Sequence, residues 1–363
     1  MNYRECVGSL HLHTTASDGT VEADELAHLA AQAGLDWIII TDHNAYEPQH
    51  QGWHGRTLVL VGEELHDPQN PHANHLLVLG AGEDLLPHVG DPQALLDAVH
   101  ARRGLTFLAH PYEHSGALAG EPVINWTDWR VTGYTGIEMW NYMSEFKSYM
   151  QGPLRALLAI FWPELAMRGP YPETLSRWDE LLAHRRVVAV AGADAHGTLY
   201  HLGPFGKRIL DYPYLLRALN THLLVGGPWT GDVTHDAHLV YDALANGKAF
   251  LGYDGLAPTR GFAFTAEQSG ETATMGDALT LRRRVRFAVR APAKARLRLM
   301  LNGYCVAETD GTELTFEAHV PGVYRTVALR RHALRWRGWI YSNPIYLRPA
   351  ARVAAREVSH DAV

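Results

Sequence analysis

From residue 8 to about residue 255, short apolar runs alternate with amphipathic stretches. In "TVEADELAHLAAQAGLD", Leu26, Leu29, Ala30 and Ala33 recur at helical spacing, with Thr20 placed to cap and Gly34 to stop a helix. "DPQALLDAVHARRGL" predicts a second helix, with Asp91 as cap, Pro92 in the first turn and Gly104 as its end. "DWIIITD", "TLVLVGEE", "LTFLAHP", "TGIEMWN" and "VVAVAGADAH" are apolar almost throughout, the pattern of strands buried on both faces. The alternation predicts an α/β fold with parallel strands. A (β/α) barrel fits better than an open sheet, because polar residues follow strand after strand and no single Gly-rich nucleotide turn stands out.

Residues 143 to about 175 interrupt this order with "GPLRALLAIFWPELAMRGPYP", apolar, aromatic and broken by prolines. This reads as an inserted helical cap that shapes a pocket or meets another subunit of a homo-oligomer. Near Pro258 the period changes to two. "RRVRFAVRA", "ARLRLMLNGYCVAET", "ELTFEAHV" and "VYRTVALRR" alternate, and Asn302-Gly303 is a hairpin turn signal. The expected organisation is therefore a barrel over 1–257, a small all-β sandwich of immunoglobulin-like type over 258–350, and a tail over 351–363. Arginines on the sandwich (Arg282, Arg283, Arg284, Arg286, Arg296, Arg298) fit a solvated strand face better than a nucleic-acid platform, since few aromatics are interleaved.

Composition narrows the classes. Of 363 residues 47% are apolar and 20% charged, enough for a sizeable core, and the formal charge of −7 gives no bias toward nucleic acid or membrane. The two cysteines, Cys6 and Cys305, are too few and too far apart for a disulfide framework or a thiolate metal site. The N-terminal residues do not resemble a signal peptide and no long apolar run spans a membrane, so the expected location is cytoplasmic. Histidine, at 22 residues, is the outlier.

The histidines and carboxylates gather at strand ends. "SLHLHTTASDGT" carries His11 and His13 in alternation, hence on one side of an extended segment, with Asp18 a turn later. Asp42 and His43 follow "WIIIT", Glu63 and Glu64 follow "LVLVG", His110 follows "LTFLA", Glu138 lies late in "GIEMW", and Asp194 and His196 follow "VVAVAGA". In a parallel barrel these converge on one rim. His75 instead starts its run, "HLLVLG", which suits an antiparallel return strand. Imidazole and carboxylate without thiolate suit zinc, manganese or iron, and a carboxylate such as Glu64 can bridge two cations. "GDVTHDAHLV" repeats Asp-Ala-His at Asp236 and His238, but it begins a helix, which explains Asp236 without a metal.

The motifs "HLHTTASDG", "TDHN", "GEE", "HLLVLG", "AHP", "GIEMWN" and "GADAH", in that order, resemble the PHP superfamily, named for polymerase and histidinol phosphatase domains. "RWDELLAHRRVVAVAGADAH" and "YSNPIY" resemble its carbaryl-hydrolase-like branch. The resemblance implies a distorted (β/α)7 barrel with two to three divalent metal ions. It implies one cation on His11, His13, Glu64 and Asp194, a second on Glu64, His75 and His110, and a third on Asp18, His43 and His196. Glu64 rather than Glu63 matches the Gly-x-Glu spacing from Gly62, and Glu138 is not counted as a ligand.

The expected function is a metal-dependent phosphoesterase in which a metal-bound hydroxide attacks a small phosphoester or nucleotide. Its catalytic set is Asp194, His196 and Glu64, with an aspartate or histidine at the rim protonating the leaving group. Lys207 and Arg208 are candidates for binding substrate. The alternative is hydrolysis of a carboxylic or carbamate ester, favoured by the apolar insert. A metal-dependent or inactive adaptor is a third reading, opposed by the intact ligand set.

Overall fold

The computed structural model describes residues 3–116, 122–197, 199–202, 205–208 and 210–350, with the side chains of 199–202 and 205–208 outside the description. The 351–363 tail therefore lies outside the described residues.

The apolar runs are strands. β1 (Arg4–Ser9) lies parallel to β2 (Trp37–Ile40), and β3 (Gly52–His54) folds back on β4 (Thr57–Leu65), which is parallel to β2. The second half of β4 meets β5 (Leu76–Leu79), antiparallel to it and to β6 (Leu105–Leu108), as the position of His75 suggested. Parallel pairing resumes through β7 (Gly136–Asn141) to β8 (Val188–Gly192). Past β8, the Ala193 and Ala195 N–H groups donate to the Leu10 and His11 carbonyls, and the His13 N–H donates to the Ala195 carbonyl. The pairings thus run from β1 through β2, β4, β5, β6, β7 and β8 and return to the end of β1.

Side chains of these strands divide by parity. Trp37, Ile39, Leu58, Leu60, Val188 and Val190 join one apolar cluster, and Ile38, Ile40, Val59, Ala189 and Ala191 another. Both faces of the strands are buried, which is why their sequence is apolar without alternation.

Helix α1 (Ala23–Ala33) buries Leu26, Ala27 and Ala30, and Gly34 ends it in the left-handed conformation at φ 83°. Thr20 is not its cap: Glu22 occupies that position, and the Thr20 hydroxyl donates to the His196 and Gly197 carbonyls instead. Helix α2 (Pro92–Ala101) is capped by Asp91, which accepts from the Gln93 and Ala94 N–H groups. The insert contains α3 (Tyr142–Tyr149), α4 (Pro153–Phe161) and α5 (Pro172–Leu182). β9 (Leu199–Leu202) and β10 (Phe205–Arg208) form a hairpin, followed by the short α6 (Tyr212–Leu215). β11 (Leu219–Val225) then lies antiparallel to β1, α7 (Val233–Ala245) follows, and β12 (Ala249–Tyr253) lies antiparallel to β11.

Among the described residues beyond 258 the regular elements are all strands: β13 (Ala263–Gln268), β14 (Glu271–Thr274), β15 (Ala278–Leu281), β16 (Val285–Leu301), β17 (Tyr304–Ala318), β18 (Gly322–His332), β19 (Arg335–Ser342) and β20 (Ile345–Pro349). Asn302 and Gly303, at φ 49° and 86°, make the expected two-residue turn between β16 and β17. β16 pairs first with β13 and, past an irregularity between Arg290 and Ala295, with β18.

The two regions share backbone and core. β19 pairs with β12, and Val327 and Tyr341 pack in the same cluster as Leu26 and Ile40. Asn343 reaches β8: its side-chain oxygen accepts from the Ala189 N–H at 2.8 Å, and its amide donates to the Ala189 and Ala249 carbonyls. On β11, His222 holds Glu5 of β1 at 2.8 Å and Asp254 at 2.9 Å, while the Thr259 N–H and hydroxyl donate to Asp254. This clamp fastens the start of the connecting segment. Among the described residues no helix is long and apolar enough to cross a membrane.

Candidate metal centre

Nine expected ligands meet in one place. Glu64, fully buried near the end of β4, is the hub. Its Oε2 lies 3.0 Å from His11 Nε2, 3.3 Å from His13 Nε2 and 3.1 Å from His43 Nδ1. Its Oε1 lies 2.7 Å from His75 Nδ1 and 3.0 Å from His110 Nε2. Asp194 Oδ1 is 3.4–3.5 Å from His11, His13 and His196. Asp18 faces His196, His43 and His13 at 3.3, 3.7 and 3.8 Å, with its side chain 57% exposed.

Glu63 points elsewhere. It accepts weakly from the Leu85 N–H, and burial followed by the charge of Asp84 pushes its carboxyl up to about 8. Asp42 is spent on structure, accepting from the Thr14 N–H, the Thr14 hydroxyl and the Ser17 hydroxyl. In α7, Asp236 accepts from the Thr230 and Gly231 N–H groups and from Trp53, and His238 is exposed. The second Asp-Ala-His is a helix-start motif, as expected. Lys207 and Arg208 stand on β10, and their side chains lie outside the described residues.

The convergence of His11 and His13 does not come from a regular strand, because β1 ends at Ser9. His11 turns left-handed at φ 63°, and Leu12 then bridges to Ala195. His110 and Asp194 are left-handed too, at φ 26° and 53°. Such backbone costs on the order of 1–3 kcal/mol per residue. The crossing hydrogen bonds of 193–195 and 10–13 hold two of the three turns. Glu138 holds the other and orients a ring, accepting from the His110 N–H at 2.7 Å, His11 Nδ1 at 2.8 Å and the Asn141 amide at 3.0 Å. Gly192 leaves the room for this: a Cβ there would collide with Glu138 Oε1 and crowd His11.

The donor set fits cations. Among the described residues, His11 Nε2, His13 Nε2, His43 Nδ1 and Glu64 Oε2 are buried without a hydrogen-bond partner, yet face one another. Donors bound at about 2.0–2.1 Å to one cation stand roughly 3.0–3.5 Å apart, which is the spacing seen. Among the described residues the groups able to hold an ion are His13, Asp18, His43 and His196; His11, Glu64 and His110; His11, His13 and Asp194; and His43, His66 and His75. The first contains the whole third set implied by the sequence resemblance. His66, stacked on His75 at 4.4 Å, was not foreseen.

Charge compensates burial here. Burial opposes protonation of His13 and His110, but Asp194 and Glu64 beside the first and Glu64 beside the second raise both to about 9. Burial drives His43 down to about 3 despite Glu64. Asp18 falls to about 2, because His196 outweighs its own partial burial. Asp18, His43, Glu64, His75, His110, Asp194 and His196 open onto a cavity of about 180 Å³, also lined by Glu113, Ile124, Met143 and Lys147.

No family model matches the chain. A stretch of 80 residues, 22% of the chain, is 30% identical to the DNA polymerase/3'-5' exonuclease PolX of Bacillus subtilis (strain 168), and the match spans only 14% of that protein's length. Among solved structures, the chain is similar to a two-domain protein from Bacteroides vulgatus ATCC 8482 containing a predicted PHP-like metal-dependent phosphoesterase. That match has 14% identity and a TM-score of 0.46, over 94% of this chain and 95% of the other. An amidohydrolase from Chromobacterium violaceum, with bound sulfate and no metal, matches at 14% identity and a TM-score of 0.32, over 54% of this chain and 92% of the other.

Proposed function

We propose that the chain is a metal-dependent hydrolase of the PHP superfamily, a phosphoesterase acting on a small phosphoester or nucleotide. The return of the strand pairings to β1 supports reading its first part as the distorted (β/α)7 barrel of that family. One observation carries the functional reading: the two oxygens of buried Glu64 face two separate groups of histidines. A carboxylate so placed suits two neighbouring cations, and His13, Asp18, His43 and His196 suit a third.

Divalent zinc, manganese or iron held there would polarise an ester oxygen and lower the pKa of a water toward about 7. The chain supplies the rest. Glu138 fixes the His11 ring, so that its Nε2 faces the hub. Asp194 and His196 both line the cavity. His196 Nδ1 is engaged by the Asp194 carbonyl at 2.9 Å, which leaves Nε2, beside Asp18, to bind the third cation or, with that position empty, to carry a proton to the leaving oxygen. Lys207 and Arg208 remain candidates for a substrate contact.

Hydrolysis of a carboxylic or carbamate ester, as in the carbaryl-hydrolase-like branch, is a second reading. Met143 and Ile124 in the cavity wall favour it, since they suit an apolar leaving group. The deciding experiment measures hydrolysis of p-nitrophenyl phosphate, bis(p-nitrophenyl) phosphate and an aryl carbamate by protein loaded separately with zinc, manganese and iron. Metal-dependent turnover of a phosphoester is expected. Turnover of the carbamate alone would replace the first reading with the second, and turnover of none would overturn both.

A further inference from the structure

Helix α3 separates two cavities. Met143 and Lys147, the latter paired with Glu113 at 3.0 Å, line the metal cavity. Glu145, Ser148 and Tyr149 of the same helix line a second cavity of about 360 Å³, twice the volume of the first and without a candidate metal ligand in its lining. Its other walls come from Arg155 of α4, from residues 166–172 and from Tyr341 of β19. A fixed frame surrounds it. Glu145, 5% exposed, accepts from the Trp140 indole N–H at 2.7 Å and from the Arg168 and Gly169 N–H groups, so it pins the 168–169 backbone to α3. From β19, the Gly338 N–H donates to the Arg168 carbonyl at 2.7 Å, and Arg337 donates to the Glu164, Leu165 and Met167 carbonyls. Gly169, at φ 135°, lets the segment pass Tyr341, whose hydroxyl would lie 2.8 Å from a Cβ there.

The lining is aromatic within and cationic outside. Tyr341, Ala166 and Pro170 are buried, Tyr149 and Tyr171 half-buried, Arg155 and Arg168 exposed. The two guanidinium carbons lie 5.8 and 6.0 Å from the centre of the Tyr149 ring, and among the described residues neither group is ion-paired to a carboxylate. Two like charges gathered at one ring repel, a cost that an anion beside them removes. Glu145, the only acidic residue among the described lining, is spent on its own three donors, and burial raises its carboxyl to about 7. We propose that this cavity is a second ligand site, distinct from the metal centre, for a small aromatic carboxylate, its ring against Tyr149 and Tyr171 and its charge at Arg155 and Arg168. The volume lies within the roughly 300–1,000 Å³ of small-molecule sites, and a guanidinium matches a carboxylate in shape as well as charge. The assignment does not depend on the hydrolase reading, since no metal ligand takes part in it.

The test is calorimetric titration of 1-naphthoate into the full chain, zinc-loaded and zinc-free, with the neutral 1-naphthalenemethanol for comparison and the thermal midpoint measured for every variant. Wild type should bind naphthoate saturably with or without zinc, and about tenfold or more tighter than the alcohol, the difference expected for a charged hydrogen bond. The double variant Arg155→Gln, Arg168→Gln, altered only at exposed positions, should lose that preference and bind the alcohol as wild type does. Lysine at both positions should keep part of the preference. Ala166→Leu, which adds bulk to the buried lining, should weaken both ligands. Absence of saturable binding to wild type, or an undiminished preference in the glutamine variant, would overturn the proposal. Binding that requires zinc and is displaced by inorganic phosphate would overturn it too, by placing the acid at the metal centre.

Discussion

His11 Nδ1 lies 2.8 Å from Glu138 Oε1, and both side chains are fully sealed from solvent. A carboxylate on one ring nitrogen fixes the proton there and turns the opposite nitrogen, as a lone pair, toward the ion. Glu138 therefore acts through His11. Glu138→Gln keeps the shape and removes the charge, so zinc affinity should fall about 10- to 100-fold with the fold retained. Competition against a chromophoric chelator measures this, and an unchanged affinity would reduce Glu138 to a packing role. Gly192→Ala, which drives a methyl into the same carboxylate, should lose metal at least as severely.

The two neighbouring glutamates should separate cleanly. Glu64→Gln replaces one of the two oxygens that face the two histidine groups with an N–H donor, removes the charge, and should lower bound metal by at least one ion per chain, read by mass spectrometry of the metals. Glu63→Gln should leave metal content intact. Burial and Asp84 already push the Glu63 carboxyl up to about 8, so a neutral amide resembles the form it holds at pH 7.

The repeated Asp-Ala-His offers an internal control. Asp194→Asn keeps the shape of a residue facing three histidines and should cut turnover by orders of magnitude. His238→Ala, on an exposed helix position, should leave metal content and turnover near wild type. Kinetics on one responsive substrate, with metal analysis of both proteins, decides it. A metal lost from His238→Ala but kept in Asp194→Asn would reverse the assignment.

The clamp at His222 predicts a pH dependence remote from the metal centre. Burial opposes the charge on His222, but Asp254 and Glu5 outweigh it and hold the imidazole above its ordinary 6.5; His222 likewise holds Asp254 below its ordinary 3.8. The histidine contribution is complete below pH 6.5 and is lost as pH rises through the folded pKa. The aspartate contribution is complete above pH 3.8 and is lost as pH falls through its folded value. Wild type should thus lose stability relative to His222→Gln as pH rises from 6.5 through the raised folded pKa of His222. Urea unfolding of both proteins at matched metal loading measures the difference, and parallel pH profiles would sink the idea.

Much of the site was legible because the buried strands end in short motifs, most of which carry a candidate ligand within two or three residues of an apolar run. Asp91, Gly34 and Asn302-Gly303 were legible for the same reason: their chemistry is local. Lys147, Glu113 and His66 were not, because each acquires meaning from a partner that no sequence period links to it. Thr20 misled for a related reason, since its hydroxyl is claimed by carbonyls at residues 196 and 197. The change of period near Pro258 marked where strands become alternating, but not that β19 would pair with β12. Pairing between edges leaves no mark in hydropathy.

Asn343 gives the molecule an order of completion. The strand that leads to Asp194 cannot satisfy the Ala189 N–H until a side chain made about 150 residues later arrives to receive it. On the ribosome, a nascent chain that has already emitted every candidate ligand still lacks the last support of β8. The backbone beneath the site is therefore completed from a strand far along the chain, and a chain cut before Asn343 would leave the Ala189 N–H without this acceptor.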